Sequence, residues 1–245
     1  MARWDRAIAL LPMKHGCILD LGCAFGFSTR RLARMGYGVV GIDNSARYIA
    51  WAKRRHPQGN YLLHNAESLP FPNATFDAIL LLDVLEHVVD QMAVLHEAQR
   101  VLKPGGTLIL SVPHCGLLSW LDSLNIYACF VRLTHHGLFP DEIAQTGVHR
   151  HYTLRQLRTI LGSTCEIQRT ICTGLGLAEL VNLPLLFFCR YVCAWEKLYQ
   201  ILQYVYFLAY LLEDQFPLPV SGYHLMVVAI KQVPPAVPQS QTLTQ

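Results

Sequence analysis

The sequence lacks several features that would assign it to a large class of proteins. Its eight cysteines form no C-x-x-C pair and show no metal-site spacing, so we expect free thiols in a reducing, cytoplasmic environment. The formal net charge is only +3, which is too small to indicate a nucleic-acid-binding protein. The first residues include basic side chains but no long apolar run with a cleavage site, so we expect no signal peptide.

The dinucleotide-binding pattern G-x-G-x-x-G is also missing, although the sequence contains a related glycine turn. The stretch ILDLGCAFG extends from Ile18 to Gly26, and Ala24 and Phe27 occupy places where that pattern requires glycine. Its apolar residues predict a strand buried on both faces, and its glycines predict a sharp turn where the backbone can approach a ligand. Because a helix could begin directly after this turn, the stretch has the form of a cofactor cradle.

An acidic residue closes the next apolar run. Asp43 follows Val39–Ile42 and stands seventeen residues after Gly26. A carboxylate at this place in a nucleotide-binding fold can accept hydrogen bonds from both hydroxyls of a ribose. The glycine turn and Asp43 together predict a half-site for a nucleoside cofactor.

The order of the predicted elements indicates an α/β fold. Amphipathic segments alternate with apolar runs, which lie at residues 39–42, 61–64, 78–82 and 107–112. This alternation is typical of a parallel sheet with helices on both faces. Asp90 is suited to cap a helix, and Thr153 with Gln156 has the spacing of a capping box. Residues 166–172 and 223–230 predict the last two strands.

Three motifs resemble those of the class I S-adenosylmethionine (SAM) methyltransferases. The pattern D-x-G-C-x-x-G at residues 20–26 is similar to the first motif of that family. NAESLPFPNATFDAILLLDVLEHV at residues 65–88 and RVLKPGGTLILSVP at residues 100–113 are similar, in order and spacing, to the group that includes the quinone-biosynthesis enzymes. The resemblance is strong over about residues 15–112 and loose over 145–172.

This resemblance implies a fold, a cofactor and a set of binding residues. The fold is a Rossmann-like sheet of seven strands, mostly parallel with an antiparallel last strand and flanked by helices; the cofactor is SAM. By the resemblance, the glycines and Leu82 face the methionine part of SAM and Asp43 holds the ribose. The adenine lies beside Ala66 or Glu67. The full set of predicted cofactor-binding residues is Asp20, Gly22, Cys23, Gly26, Asp43, Asn44, Ala66, Glu67 and Leu82.

Two histidines are candidates for a general base. SAM carries an activated methyl group, so the protein has to orient the acceptor and, for a hydroxyl acceptor, remove its proton. His87 follows the fourth predicted strand and His114 follows the fifth, at the carboxyl ends where ligands of such sheets bind. A structural role stays open for both residues, and for His87 it would be a hydrogen bond at the start of a helix.

More histidines lie in a long connection at residues 113–152, which we interpret as a substrate lid. They form the groups His135-His136 and His149-Arg150-His151. No cysteine or carboxylate spacing accompanies them, so we expect no metal ion. Substrate recognition is the favoured interpretation, with Arg150 able to meet an anionic group. Asp122 and Asn125 also lie in the lid, and the sequence assigns them no role.

A dense apolar and aromatic stretch at residues 174–216 separates the last two predicted strands, where a short hairpin would suffice. Its longest uncharged run, Leu198–Leu212, would reach about 22 Å as a helix, which is less than the ~30 Å core of a membrane. Arg190, Glu196 and Lys197 interrupt the stretch and indicate two short helices. It could bind a membrane or lipid, form a buried cap or dimer face, or span the bilayer.

We therefore predict one methyltransferase domain over residues 1–232, followed by a disordered tail at 233–245. The predicted substrate is lipid-like or lipid-linked, such as a quinone precursor, and O-methylation is favoured over C-methylation. Peripheral membrane association is expected, whereas the oligomeric state is undetermined. The alternatives are a non-catalytic, membrane-associated protein of the same fold and a NAD-dependent oxidoreductase.

Overall fold

A computed structural model describes residues 3–116, 119–136, 149–213, 215, 217–218 and 222–233. Its strands form a single mixed sheet. They are β1 (Cys17–Leu21), β2 (Gly38–Asp43), β3 (Asn60–Leu63), β4 (Phe76–Leu82), β5 (Leu102–Pro113), β6 (Cys165–Thr173), β7 (Pro217–Leu218) and β8 (His224–Lys231). The helices are α1 (Arg3–Ala9), α2 (Phe27–Arg34), α3 (Ala46–Arg55), α4 (Gln91–Val101), α5 (Ser123–Thr134), α6 (Leu154–Leu161), α7 (Ala178–Leu186) and α8 (Glu196–Glu213).

The strand order is β3-β2-β1-β4-β5-β8-β6-β7. The strands from β1 to β5 are paired in parallel, with Leu21 opposite both Ile42 and Leu81. In contrast, β8 runs antiparallel to both of its neighbours, β5 and β6. This confirms the predicted Rossmann-like sheet of seven strands with an antiparallel last strand. The additional strand β7 has two residues and pairs with the outer edge of β6.

Side-chain caps explain where several helices begin, and those at Asp90 and at Thr153 with Gln156 were predicted. The Ser45 side chain accepts a hydrogen bond from the Tyr48 amide at the start of α3, and Asp90 accepts one from Ala93 at the start of α4. Thr153 and Gln156 form the complete capping box of α6. Each of these side chains satisfies an amide that the first turn of a helix leaves unpaired.

Two hydrophobic cores cover the two faces of the sheet. Because successive side chains of a strand point to opposite faces, Leu19 and Ile79 pack in one core and Ile18 and Leu80 in the other. The first core includes side chains of α4 and α6, and the second includes side chains of α1 and α2. The sequence analysis did not predict α1.

The insertion before β8 is helical, as predicted. It consists of α7, a π-helical segment at Phe187–Val192 and α8, with the ion pair Arg190–Glu196 at the turn between them. A third hydrophobic cluster joins the insertion to α5 through Tyr127, Val131 and Leu186. Within the described residues, no helix is long and apolar enough to cross a membrane. Residues 137–148 of the predicted lid, and all but Val233 of the predicted tail, lie outside the described residues.

Candidate active site

A cleft of about 430 Å³ opens at the carboxyl ends of β1, β2 and β4. Its lining comes from the first half of the sheet and from the segment that follows β4; we call the part near Asp43 its first end and the part near His87 its far end. Its walls are formed by Leu21, Gly22, Ala24, Ile42, Asp43, Asn44, Tyr48, His64, Asn65, Ala66, Asp83, Val84, His87 and Val88. Of the predicted cofactor-binding residues, this set includes Gly22, Asp43, Asn44 and Ala66. It also includes His87, one of the two predicted bases.

Both the backbone conformation and the small space available require glycine at two positions of the turn. Gly22 and Gly26 have φ angles of +81° and +71°, in the left-handed region that favours glycine. A Cβ atom at Gly22 would lie 2.2 Å from Val84 Cγ2, and one at Gly26 would lie 2.6 Å from the Tyr61 ring. The chain therefore turns between β1 and α2 in close contact with its neighbours, and the peptide backbone itself forms this wall of the cleft.

Asp43 lies at the end of β2 with a fixed carboxylate. Its Oδ2 accepts a hydrogen bond from the Ala24 amide at 2.9 Å, and its Oδ1 accepts one from the Ser45 amide at 2.8 Å. An ionised carboxylate can accept about four hydrogen bonds. Asp43 therefore keeps capacity to accept two hydrogen bonds from a ligand such as the hydroxyls of a ribose.

Other predicted cofactor-binding residues lie outside the wall of the cleft. The Asp20 carboxylate is buried and accepts hydrogen bonds from Ser28 and Thr29 of α2, so it connects the turn to the helix. Burial raises the pKa of Asp20, an effect that the two hydroxyls oppose. Cys23 packs in a small apolar cluster, and burial raises the pKa of its thiol.

Gly26 provides the cap position of α2, and Leu82 packs against the core that α1 and α2 cover. Glu67 accepts hydrogen bonds from the Asn65 side chain and the Asp90 amide, both at 3.4 Å. These positions support the cleft from behind. The predicted role of each of these side chains in cofactor binding stays a prediction.

The far end of the cleft carries His87 among ionisable neighbours. The surrounding walls desolvate this ring and lower the pKa of His87, and the nearby His149 lowers it further, so the neutral ring prevails at pH 7. Beside it, Asp83 forms an ion pair with the buried Arg3 of α1 and accepts a hydrogen bond from Ser111 at 2.7 Å. Burial, followed by the charge of Asp83, raises the pKa of Glu86.

His114 lies outside this cleft. Its Nδ1 is 2.9 Å from the Gly222 carbonyl, and its backbone forms an isolated bridge with Tyr152. The ring nitrogen therefore serves to hold the chain next to β8. The structure places His87 beside the cleft and His114 behind it, and the role of either as a base is still a prediction.

A buried carboxylate organises the described part of the lid. Asp122 caps α5 through Oδ1, which accepts from the Asn125 amide at 2.8 Å, while its Oδ2 lies 2.6 Å from Nδ1 of His149. The Asn125 side chain then bonds both the amide and the carbonyl of His149 at 2.8 Å. The His149 ring lies 5.3 Å from the His87 ring, centroid to centroid. Asp122 and Asn125 thus fix a histidine next to the far end of the cleft.

The two histidine groups of the lid lie far apart. His135 ends α5 and His136 packs against Tyr191, whereas His149 and His151 lie at the opposite end of α5, about 18 Å away for a helix of twelve residues. Potential ligand atoms of Asp122, His149 and His151 lie within 4.8 Å of one another, as do those of Glu86, His87 and His149. The absence of a metal ion therefore stays an expectation.

The sequence analysis missed several residues of this region. Asp122 and Asn125 were noticed without a role, and Arg3, Asp83 and Tyr223 were not considered. A local signal existed for Asp122, because an aspartate three residues before an asparagine can cap a helix. Its contact with His149 joins residues 27 positions apart, and Tyr223 lies 101 positions from Asp122. No spacing rule predicts contacts of this kind.

The strand order, the glycine turn and the carboxylate after β2 define a class I methyltransferase fold. A family model described as a methyltransferase domain matches residues 19–110. A SAM-dependent methyltransferase from Methanosarcina mazei has a similar structure, with a TM-score of 0.60 and 20% sequence identity over 92% of this chain and 97% of that one. Residues 19–110 thus match a methyltransferase domain, and the chain shares the fold of a SAM-dependent methyltransferase.

Two relatives illustrate the similarity in sequence. The chain is 37% identical to a ubiquinone biosynthesis O-methyltransferase of Cereibacter sphaeroides over 115 residues, which cover 45% of this chain and 47% of the relative. It is 41% identical to a demethylmenaquinone methyltransferase of Tropheryma whipplei over 114 residues, or 44% of this chain and 47% of the relative. The matched region thus spans about half the length of these relatives.

Proposed function

We propose that this protein transfers a methyl group from SAM to an oxygen atom of a lipid-like small molecule of the quinone-precursor class. The observation that carries the proposal is a single cleft with two different ends. One end presents the glycine turn and Asp43, and the other presents His87 beside a further histidine and a buried carboxylate. A nucleoside cofactor fits the first end, and an acceptor that has to lose a proton fits the second.

The residues of the first end fit SAM. Asp43 would hold the ribose hydroxyls, Asn65 and Ala66 would border the adenine, and the backbone at Gly22 would border the methionine part. When bound, SAM supplies a methyl group on a positively charged sulfur, which needs no further activation. The protein therefore has to bind the acceptor in line with this group, exclude water and accept a proton.

The residues at the far end of the cleft favour oxygen over carbon as the atom that accepts the methyl group. A hydroxyl acceptor requires a base, and the neutral His87 and its neighbour His149 are suited to that task. The two relatives carry names that refer to ubiquinone and demethylmenaquinone, and only the first is named as an O-methyltransferase. This supports a quinone-like acceptor and is consistent with O-methylation.

Calorimetry and product analysis test the proposal. The protein should bind SAM and S-adenosylhomocysteine but not NAD, and with SAM it should convert a prenylated dihydroxybenzene into its methyl ether, detected by mass spectrometry. A mass gain on a ring carbon would replace the O-methyltransferase by a C-methyltransferase. SAM binding without turnover on any hydroxyl or ring-carbon acceptor would favour the non-catalytic alternative.

We also propose that the insertion docks peripherally on the cytoplasmic face of a membrane, where such an acceptor would reside. Large apolar side chains of α8 recur at helical spacing and are exposed, for example Ile201 at 65% and Leu208 at 60%. We call this set the α8 apolar face; it consists of Ile201, Tyr204, Val205, Leu208, Leu211 and Leu212. No charged residue lies between Leu198 and Leu212. A face of this size on a helix favours insertion into the interface of a bilayer.

Co-sedimentation with vesicles of phosphatidylcholine and anionic phosphatidylglycerol tests this docking. The double substitution Ile201→Asn/Leu208→Asn should abolish co-sedimentation while SAM affinity is kept. Met35→Asn, at an exposed residue after α2, is the matched control and should have no effect. If the wild type ignores vesicles and sedimentation velocity shows that the double substitution converts a dimer into a monomer, the α8 apolar face is a dimer interface and the membrane proposal is wrong.

A further inference from the structure

His149 and His151 both lie close to the buried carboxylate of Asp122, and His149 makes the shorter contact. Asp122 is only 2% exposed, and its Oδ2 lies 2.6 Å from Nδ1 of His149. Because Oδ2 of an ionised carboxylate is only an acceptor, Nδ1 of His149 must carry the proton in this contact. The lone pair of the neutral ring is then on Nε2, which is the arrangement that a general base needs.

The backbone of His149 is held as firmly as its ring. The Asn125 side chain donates to the His149 carbonyl and accepts from the His149 amide, each at 2.8 Å. Asn125 itself is fixed in the first turn of α5, which Asp122 caps. One short stretch of helix therefore sets both the tautomer and the position of this imidazole.

A ring nitrogen of His149 lies close to His87, which lines the cleft. Ring nitrogens of His149 and His87 and a carboxyl oxygen of Glu86 lie within 4.8 Å of one another. A hydroxyl oxygen placed between two nitrogens at that separation is within hydrogen-bonding distance of both. His87 lines the cleft, so a hydroxyl at this point would lie at the far end of the cofactor site.

We propose that His149 is the general base of the reaction and that Asp122 is its positioning residue. This inference rests on the proposed function. As the acceptor oxygen forms its bond to the methyl carbon, the carbon–sulfur bond of the cofactor breaks and its electron pair stays on sulfur. The proton of the acceptor hydroxyl moves to Nε2 of His149, which becomes an imidazolium ion beside the Asp122 carboxylate. His87 stays neutral and orients the same hydroxyl.

The charges around His149 suit this task. Burial raises the pKa of Asp122, but the hydrogen bonds from His149 and the Asn125 amide, together with the charge that His149 carries once it is protonated, outweigh this effect and lower the pKa of Asp122. Asp122 is therefore a carboxylate at neutral pH and stabilises the imidazolium. The other groups that face this site come from three segments: Glu86 and His87 after β4, His151 beside His149, and Tyr223 before β8.

Chemical rescue distinguishes a base from a structural residue. His149→Ala should lower kcat about 10²–10⁴-fold on a prenylated dihydroxybenzene, and added imidazole should restore part of the loss. SAM affinity by calorimetry should be unchanged. His96→Ala, at an exposed position on α4, is the matched control and should neither lose activity nor respond to imidazole. Full activity of His149→Ala, or a loss that imidazole does not restore while SAM still binds, overturns the role of His149.

Asp122→Asn tests the positioning role separately. It should lower kcat more than it changes KM, and the acidic limb of the pH–rate profile should move to lower pH, because the charge that stabilises the imidazolium is gone. An unchanged profile overturns that role.

If the wild type binds Zn²⁺ in calorimetry and His149→Ala and Asp122→Asn both abolish this binding, the cluster is a metal site and the base assignment is wrong. A wild type that methylates only ring carbons, or no acceptor, overturns the proposed O-methylation and the base with it.

Discussion

The cofactor half of the molecule, residues 17–113, and the acceptor half, residues 114–213, meet at the carboxyl ends of the strands but are constructed differently. In the cofactor half, the residues that form the site come from consecutive strand–turn–helix units, and Asp43 reaches the glycine turn only nineteen positions away. In the acceptor half, Ser123 donates to Glu179 across 56 positions, and Asp122 accepts from Tyr223, which lies beyond this half, across 101 positions. Backbone conformation positions the site residues of the cofactor half, whereas contacts between side chains that are distant in sequence position those of the acceptor half.

The exposed surfaces of the two halves differ in the same way. Glu179, Asn182 and Tyr199 are buried and hydrogen-bonded where the insertion meets α5, yet the outer side of α8 exposes the α8 apolar face. The interior of the insertion thus contains buried side chains with defined hydrogen bonds, whereas its outer surface is apolar. Under the proposed function, the cofactor half has to be rigid and the acceptor half has to meet an apolar partner.

The largest expected effect concerns the rigidity of the cofactor half. Gly22→Ala places a methyl group against Val84 at a positive φ angle, and should lower the unfolding free energy by about 2–5 kcal/mol through overpacking and strain. Gly36→Ala is the matched control, since Gly36 has φ +92° with nothing within 4 Å, and should cost only about 1–2 kcal/mol. Chemical denaturation measures both. If the two variants are equally stable, or if adding Val84→Ala does not restore part of the loss, steric contact is not what fixes this turn.

The next effect concerns binding. Asp43→Ala should weaken SAM affinity by about 1.5–3 kcal/mol, the usual contribution of hydrogen bonds to a charged group. Asp77→Ala is the control, because Asp77 lies at the amino end of β4 and pairs with Lys103 away from the cleft. Calorimetry compares the two. Equal SAM affinity of wild type and Asp43→Ala would contradict the assignment of the ribose site.

A smaller effect depends on pH. The Arg100 guanidinium, through its hydrogen bond, lowers the pKa of Glu97 from an ordinary value of 4.5 to about 2. A carboxyl whose pKa is depressed in the folded state stabilises the fold above its unfolded pKa and loses this contribution as the pH falls through its folded pKa. Glu97→Gln should therefore cost about 1–2 kcal/mol at pH 7, and the difference from wild type should vanish between about pH 4.5 and 2. Urea titrations at several pH values measure it; a constant difference would show that the ion pair is not its origin.

The smallest expected effect concerns the α8 apolar face. Leu208→Gln should change the unfolding free energy by less than about 0.5 kcal/mol, because this residue is 60% exposed. Leu186→Ala, at a fully buried position in the insertion, should cost about 2–5 kcal/mol in the same measurement. A large loss for Leu208→Gln would mean that the α8 apolar face is covered in solution, by the chain itself or by a second copy.

Sequence reasoning succeeded where one residue determines local geometry. Asp90 and the Thr153–Gln156 pair mark helix starts because capping needs only a side chain and a neighbouring amide. The sheet followed from alternating apolar runs and from the family resemblance. The glycine turn was predicted because its conformation excludes other residues. All of these are properties of a short stretch of chain.

The same reasoning failed for contacts that only the folded chain creates. Arg3 pairs with Asp83 eighty positions away, and its guanidinium also lies 5.1 Å from the Tyr210 ring of α8. The two histidine groups of the lid were given one shared role, substrate recognition, whereas they lie at opposite ends of α5. The hydrogen bond between Asp122 and His149 depends on how the lid folds back, which no periodicity in the sequence determines.

The position of β8 has a consequence for how the chain is synthesised. The ribosome makes β5 and β6 well before β8, yet β8 lies between them in the finished sheet. Until residues 224–231 emerge, the facing edges of β5 and β6 have unpaired amides and carbonyls next to an apolar insertion that is already complete. Open strand edges and exposed apolar surface are the features that make a nascent protein prone to aggregation. Slow translation of the last strand, or its loss by truncation, should therefore harm production of this protein more than equivalent changes in β3 at the opposite edge.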